Sequence, residues 1–210
     1  MKRSQASSKI GKASLSEPIW GCGKKTGSAQ HLILKQREQV QSLFVDSKSN
    51  IWIGTNNNGL IQMYDSLIIR HFRGASEISH DFVRCVEEDE DGRIWVGTFK
   101  GLDAIHPGGK IAHYAHNKSL PTSLSHNSIW SLFRDRDGAM WAGTYFGGVN
   151  IFHPTRRIFN YYPENDSENQ SINFRVAGQV LEDSRHNLWI CTDGGGPDFS
   201  LAMQQRHCLG

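Results

Sequence analysis

Short apolar runs alternate with turn-forming residues along most of the chain, and the same order of runs returns four times. One run in each unit places a tryptophan between apolar residues and ends in threonine three residues later. The tryptophans are Trp52, Trp95, Trp141 and Trp189, and the spacing between them is 43, 46 and 48 residues. A period of about 40–50 residues is typical of one four-stranded blade of a β-propeller.

Each unit has the order strand, tight turn, tryptophan strand, turn, third strand, turn, short fourth strand and long polar loop. Asp91-Gly92 and Asp137-Gly138 are strong hairpin dipeptides at the first turn, where Ser49-Asn50 and His186-Asn187 stand in the other two units. No segment has the 3.6-residue period and end signals of a helix. The pattern predicts an all-β chain, a partial β-propeller of about four blades with four antiparallel strands each.

The residues that recur in the four units are interpreted as scaffold. Tryptophan has the apolar surface to fill the layer between two sheets, and glycine two residues after it indicates close approach of another chain segment. Threonine suits a pleated sheet surface. The structural set is Trp52, Trp95, Trp141, Trp189, Gly54, Gly97, Gly143, Thr55, Thr98, Thr144 and Thr192.

The best-formed units resemble a known repeat family. Residues 94–98 (IWVGT), preceded by 88–92 (EDEDG) and followed by Gly101-Leu102, are similar to the two-component regulator propeller repeat, and so are residues 133–144 with 147–149. The resemblance covers about residues 38–196. It implies part of a seven-bladed propeller in the periplasmic sensor of a hybrid two-component receptor that detects glycan-derived oligosaccharides. It also implies that membrane, kinase and receiver domains follow the propeller in such proteins, and none is recognisable in this sequence.

Four repeats are fewer than the seven or so that close a ring, so the sequence predicts an incomplete one. We expect a poorly ordered segment over residues 1–37, the repeat array over 38–196 and an atypical tail over 197–210, where the apolar pattern stops. Three possibilities remain open: a fragment of a longer sensor, a chain that completes its ring with other chains, and a truncated product without independent activity.

A ligand site is expected on loops at one end of the propeller, because loops carry function more often than strands do. Tyr145 and Phe146 follow the third tryptophan strand, and they are aromatic where other repeats have Asn or Lys. They are candidates for stacking on a sugar ring. The alternative is that both are ordinary, partly exposed turn residues.

The sequence contains no catalytic motif, so we expect no enzymatic activity, no cofactor and no metal site. Asp89 to Gly92 lacks the later ligands of a calcium loop and suits a hairpin instead. His80 and His126 occupy equivalent positions, which favours a structural or surface role, and His113 and His116 fall in a loop without a carboxylate partner. A propeller-fold lyase is the alternative, and it requires a catalytic cluster at the channel mouth.

Composition narrows the expected partners. The net charge of +2 gives no reason to expect nucleic acid as a partner, and no apolar run is long enough to span a membrane. The basic start lacks the apolar core of a signal peptide, so a periplasmic location follows from the resemblance alone.

The four cysteines form no C-x-x-C pair, and Cys85 and Cys191 are expected to be small buried side chains. The expected partners are an oligosaccharide and the blades that close the ring.

Overall fold

The protein is a series of antiparallel sheets joined by loops. The computed structural model describes residues 23–26, 29–32, 39–65, 67–74, 76–153, 159–162, 172, 174–194 and 196–200. Every regular element in these residues is a β-strand. The other residues, including most of segment 1–37 and all of 201–210, lie outside the described part.

The strands group into one hairpin and four blades, taken in chain order. The hairpin pairs β1 (Gly23–Thr26) with β2 (Ala29–Leu32). The first blade contains β3 (Val40–Val45), β4 (Ile51–Thr55), β5 (Leu60–Tyr64) and β6 (Leu67–Phe72). The second contains β7 (Val83–Glu88), β8 (Ile94–Thr98), β9 (Leu102–Ile105) and β10 (Ile111–Tyr114). The third contains β11 (Ile129–Arg134), β12 (Met140–Thr144), β13 (Val149–Phe152) and β14 (Phe159–Tyr162). The fourth contains β15 (Ala177–Glu182), β16 (Leu188–Thr192) and β17 (Gly196–Ser200).

Each blade pairs strands in sequence order, and the first strands of successive blades lie beside one another. This arrangement confirms the predicted all-β partial propeller. Three details differ from the expectation. The fourth blade has three strands rather than four in the described residues, and β17 pairs with β16 through Ser200, past the residue at which the apolar pattern ends. Backbone pairing tolerates Pro197 and Asp198 at a sheet edge, and β17 is the edge strand of this sheet in the described residues. The β1–β2 hairpin also lies inside the segment expected to be poorly ordered.

Apolar layers between neighbouring blades form the core. Trp52 of the first blade packs with Val86 and Val96 of the second, and Trp95 packs with Ile129 and Met140 of the third. Trp141 packs in the same way against the fourth blade, and all three indoles are buried. Trp189 is 36 % exposed, because no described strand covers the outer face of the fourth blade.

A repeated aspartate orients each of these indoles. Asp46, Asp89, Asp135 and Asp183 lie six residues before the tryptophans and accept a hydrogen bond from each indole nitrogen at 2.6–3.1 Å. The same carboxylates accept backbone N–H groups of the turn between the first two strands. One side chain therefore closes the hairpin and fixes the inter-blade residue. These contacts agree with the hairpin interpretation of the Asp-rich segments.

The repeated glycines lie where two blades approach most closely. A methyl group on Gly97 would collide with Cys85 of its own blade and would lie 2.7 Å from Ile129 Cγ2 of the next blade. Gly54 and Gly143 face equivalent neighbours. In the fourth blade Cys191 replaces this glycine. Its side chain is exposed, which corrects the expectation of a buried thiol, because no described strand packs over it.

Candidate functional site

The two ends of the blades differ in chemistry. At one end, the loops between blades meet the turns between second and third strands, as the backbone bonds from Phe99 N to Phe82 O and from Tyr145 N to Ser128 O show. We call this the aromatic end. At the other, the hairpin end, the four aspartates close the turns between first and second strands. The aromatic end carries residues that vary from blade to blade, and it is the candidate site.

A β-bulge re-aims one side chain in each first strand. The register shifts between Val40 and Ser42, between Val83 and Cys85, and between Ile129 and Ser131. A bulge leaves one residue unpaired and turns its side chain away from the regular alternation. The bulged residues of the first three blades are Gln41, Arg84 and Trp130, and β15 has a similar irregularity after Ala177.

Three aromatic side chains surround Arg84 at this end, and two more continue from them. The aromatic patch consists of Phe82, Phe99, Trp130, Tyr145 and Phe146. The Arg84 guanidinium carbon lies 4.7 Å from the ring centre of Phe82, 5.2 Å from that of Phe99 and 4.8 Å from that of Trp130. Tyr145 is 5.4 Å from Trp130 and 4.3 Å from Phe146 between ring centres. The patch therefore continues from the second blade to the third.

Three rings of the patch reach solvent. Phe99 is 45 %, Trp130 is 44 % and Phe146 is 49 % exposed. Large exposed aromatic side chains that lie together mark interaction surfaces more often than scattered ones do. The candidate residues Tyr145 and Phe146 lie within the patch, while Phe82, Arg84, Phe99 and Trp130 were not singled out from the sequence.

Arg84 is held by one of its nitrogens. Nη1 donates to Ser128 Oγ at 2.6 Å and to the Ile129 carbonyl oxygen at 3.3 Å, whereas Nε is buried without a hydrogen-bond partner. Burial lowers the pKa of Arg84 below its ordinary value. The ring faces around the guanidinium partly replace its lost hydration, because aromatic faces attract cations.

The two equivalent histidines close the loops beside the patch. His80 Nδ1 accepts the Phe82 N–H at 2.9 Å, and His126 Nδ1 accepts the Ser128 N–H at 3.1 Å. Burial is the main cause that lowers the pKa of both imidazoles, which favours the neutral form needed to accept. These bonds confirm the structural role inferred from their repetition.

The expectation that His113 lies in a loop without a carboxylate partner was wrong. His113 lies on β10, and its Nδ1 is 2.7 Å from Oδ1 of Asp103, a fully buried carboxylate that also accepts the Ser79 N–H. The carboxylate comes from the adjacent strand β9, which sequence spacing alone did not show. No group of three or more possible metal ligands occurs in the part of the chain that the structure describes.

The repeated threonines and tryptophans have structural contacts. Thr55, Thr98 and Thr144 donate to a glycine carbonyl oxygen in the turn after the second strand, at 2.8–2.9 Å, and Thr192 is buried at the equivalent place. The tryptophans lie between sheets. These residues build the turns and layers that position the variable residues.

The fold and the repeated contacts define a segment of a β-propeller. Comparison with known proteins indicates which kind of propeller repeat it resembles. The model of the two component regulator propeller family matches residues 35–57, 77–100 and 123–146. These three segments are therefore similar to the two-component regulator propeller repeat, which agrees with the resemblance found in the sequence. No curated protein sequence gives a significant match.

Solved structures agree with this type. The extracellular domain of a putative hybrid two-component system from B. thetaiotaomicron is 27 % identical over 77 % of this chain and 21 % of that chain, with a TM-score of 0.61. A second such domain from the same organism is 19 % identical over 87 % of this chain and 31 % of that one, with a TM-score of 0.52. The chain thus spans about a fifth of the first of these proteins.

A more distant likeness shows the fold alone. Virginiamycin B lyase from Staphylococcus aureus is 14 % identical over 81 % of this chain and 58 % of that chain, with a TM-score of 0.58. Within the described residues, no helix has the length and apolar character needed to cross a bilayer.

Proposed function

We propose that this chain is a segment of the ligand-sensing propeller of a hybrid two-component receptor, and that it binds rather than catalyses. The repeat type and the 27 % identical extracellular domain support this assignment. By the same likeness, we place the segment outside the cytoplasm, in the periplasm. The division of the chain at residues 37 and 197 stays a prediction.

The proposed ligand is a glycan-derived oligosaccharide, bound at the aromatic patch. The observation that carries this proposal is the grouping of the half-exposed rings of Phe99, Trp130 and Phe146 at one end of the blades. Exposed ring faces offer the apolar C–H faces of a sugar a flat surface, and they lose little conformational entropy on binding. Tyr145 supports this surface because it contacts both Trp130 and Phe146.

The proposed partner of the fourth blade is a further blade, from the same protein or another chain. Leu181 and Trp189 are 53 % and 36 % exposed on that blade. In the first three blades the equivalent tryptophan is covered by the next sheet. Covering the fourth would remove an exposed apolar face of the kind that promotes aggregation.

The binding proposal is tested with a panel of oligosaccharides, using thermal shift and then calorimetric titration of the full chain. A ligand at the patch should lose about 10- to 30-fold in affinity with Trp130→Ala, as for removal of a central aromatic contact. Tyr64→Ala is the matched control, because Tyr64 is 52 % exposed and lies outside the patch. If no saccharide of the panel binds, or if both variants bind alike, the patch is not a saccharide site.

A further inference from the structure

Arg84 is a partly buried cation that has no anionic partner among the residues the structure describes. Arg70, Arg93 and Arg136 each pair with a carboxylate within 4 Å, but no Asp or Glu of the described residues pairs with Arg84. A cation removed from water is costly unless a charge or hydrogen bonds compensate it. Here Nη1 is satisfied and three ring faces are near, yet Nε has no partner.

A role in holding two blades together accounts for only some of the contacts of Arg84. The bonds from Nη1 to Ser128 and Ile129 tie the second blade to the start of β11. That role needs one nitrogen and no aromatic neighbours. It leaves the remaining edge of the guanidinium unexplained, at the centre of the only surface that the proposed function assigns to a ligand.

The charges around the patch also favour an anion. Arg175 lies 5.3 Å from the ring centre of Phe146, on the side of the patch away from Arg84, and the charge of Lys100 reaches His80. The carboxylate of Asp81 is engaged by the backbone N–H of Gly74 at 2.8 Å. The patch is therefore bordered by three cations, Arg84, Lys100 and Arg175, against the one carboxylate of Asp81, whose charge also reaches His80.

We propose that the saccharide bound at the patch carries a carboxylate, which pairs with Arg84 while the sugar rings stack on Trp130 and Phe146. This inference rests on the proposed function and names the ligand class for the same site. A planar guanidinium matches a carboxylate in geometry and charge, and the pair gains strength where water is excluded. The carboxylate approaches the guanidinium beside the half-exposed rings of Phe99 and Trp130, which lie next to it. A neutral sugar would leave that edge unpaired.

The experiment compares tetragalacturonate with its methyl ester, which has the same rings and no charge. Affinity for the full chain is measured by calorimetric titration at low and at high salt. We expect the acid to bind at least about 10-fold more tightly than the ester at low salt, with the preference reduced at high salt. Arg84→Gln should weaken binding of the acid about 10- to 100-fold and leave the ester nearly unchanged.

Two further variants separate a binding role from bracing. Arg175→Gln, at an exposed residue beside Phe146, should weaken the acid about 3- to 10-fold without altering thermal unfolding. If Arg84→Gln fails to fold, the result for Arg175→Gln tests the carboxylate proposal instead. Arg185→Gln, at an exposed residue of the hairpin end, is the control and should change neither affinity.

The outcomes distinguish the two proposals. Preference for the acid that disappears with Arg84→Gln supports the inference. Equal binding of acid and ester, or an acid preference that survives both patch variants, overturns the carboxylate and leaves the saccharide site in place. Absence of binding by tetragalacturonate while a neutral oligosaccharide binds also overturns it. Binding of no saccharide at all overturns both proposals.

Discussion

The second and fourth blades carry the same motif in two different environments. In both, an aspartate accepts bonds from the hairpin and from an indole six residues later. Trp95 is fully buried against the third blade, whereas Trp189 is 36 % exposed. The residue two positions further on is Gly97 in the second blade and Cys191 in the fourth.

This difference separates what the motif does within a blade from what it does between blades. The hydrogen bonds form in both blades, so they belong to the hairpin. The burial of the indole and the need for glycine appear only where another sheet lies against the blade. Stacking on the next blade therefore adds to the stability that the repeat has within its own blade, as in other repeat proteins.

Removal of the indole is expected to have the largest effect on stability and to separate the second blade from the fourth most clearly. Trp95→Ala should lower the free energy of unfolding by about 3–5 kcal/mol, because it leaves a cavity among buried side chains. Trp189→Ala should cost less, about 1–3 kcal/mol, because about a third of that residue is already in water and no described sheet covers it. Urea unfolding followed by circular dichroism measures both.

The pair of variants is internally controlled, since each loses an indole and its bond to an aspartate. Equal losses would show that the hydrogen bond, rather than cover by the next sheet, carries the stabilisation. A further blade added in solution would be expected to increase the cost of Trp189→Ala.

A smaller change tests the close approach between blades. Gly97→Ala should destabilise by about 1–3 kcal/mol, because the added methyl group meets Cys85 and Ile129 Cγ2 and the two sheets must separate. Cys191→Ala at the equivalent exposed position should change stability by less than about 0.5 kcal/mol. Thermal unfolding of both variants provides the measurement. A harmless Gly97→Ala would mean that the blades can shift apart without loss.

The sequence was sufficient to predict the blades because their signals are local. The tryptophan period and the turn residues set strand order, and even the less ideal turns form, with positive φ at Ser49 and His186. The repeated aspartate was visible at the same distance before every tryptophan. Its bond to the indole was not predicted, because the adjacent Asp-Gly dipeptides explain the hairpin turn without it.

The candidate site was less predictable, because it depends on contacts between blades. Arg84 and Trp130 are far apart in the chain and meet only when two sheets stack, and the bulges that aim them leave no mark in the apolar pattern. Tyr145 and Phe146 were noticed because they differ from the equivalent residues of other repeats. Applied to the bulged position, the same comparison of Gln41, Arg84 and Trp130 would have marked it as variable.

The smallest expected effect is a difference in pH dependence between the third and fourth blades. Burial is the main cause that raises the pKa of Asp135, whereas hydrogen bonds from the Asn187 side chain and backbone are the main cause that lowers the pKa of Asp183. The contribution of Asp135 to stability is therefore greatest below the pKa of the unfolded chain and is lost as pH rises through the folded-state pKa. The contribution of Asp183 to stability is present above its pKa in the unfolded chain, and it is lost as pH falls through the lower folded-state pKa.

Asp135→Asn and Asp183→Asn separate these effects from the bonds themselves, because each variant removes one titrating group and keeps an oxygen that accepts. The free energy of unfolding is measured from about pH 3 to about pH 7 and subtracted from that of the unaltered chain. The difference should fall with rising pH for Asp135→Asn and rise for Asp183→Asn, on top of a constant offset for the lost bond. Slopes of the same sign would show that the shared hydrogen bonds, and not cover by a neighbouring blade, set the titration of these carboxylates.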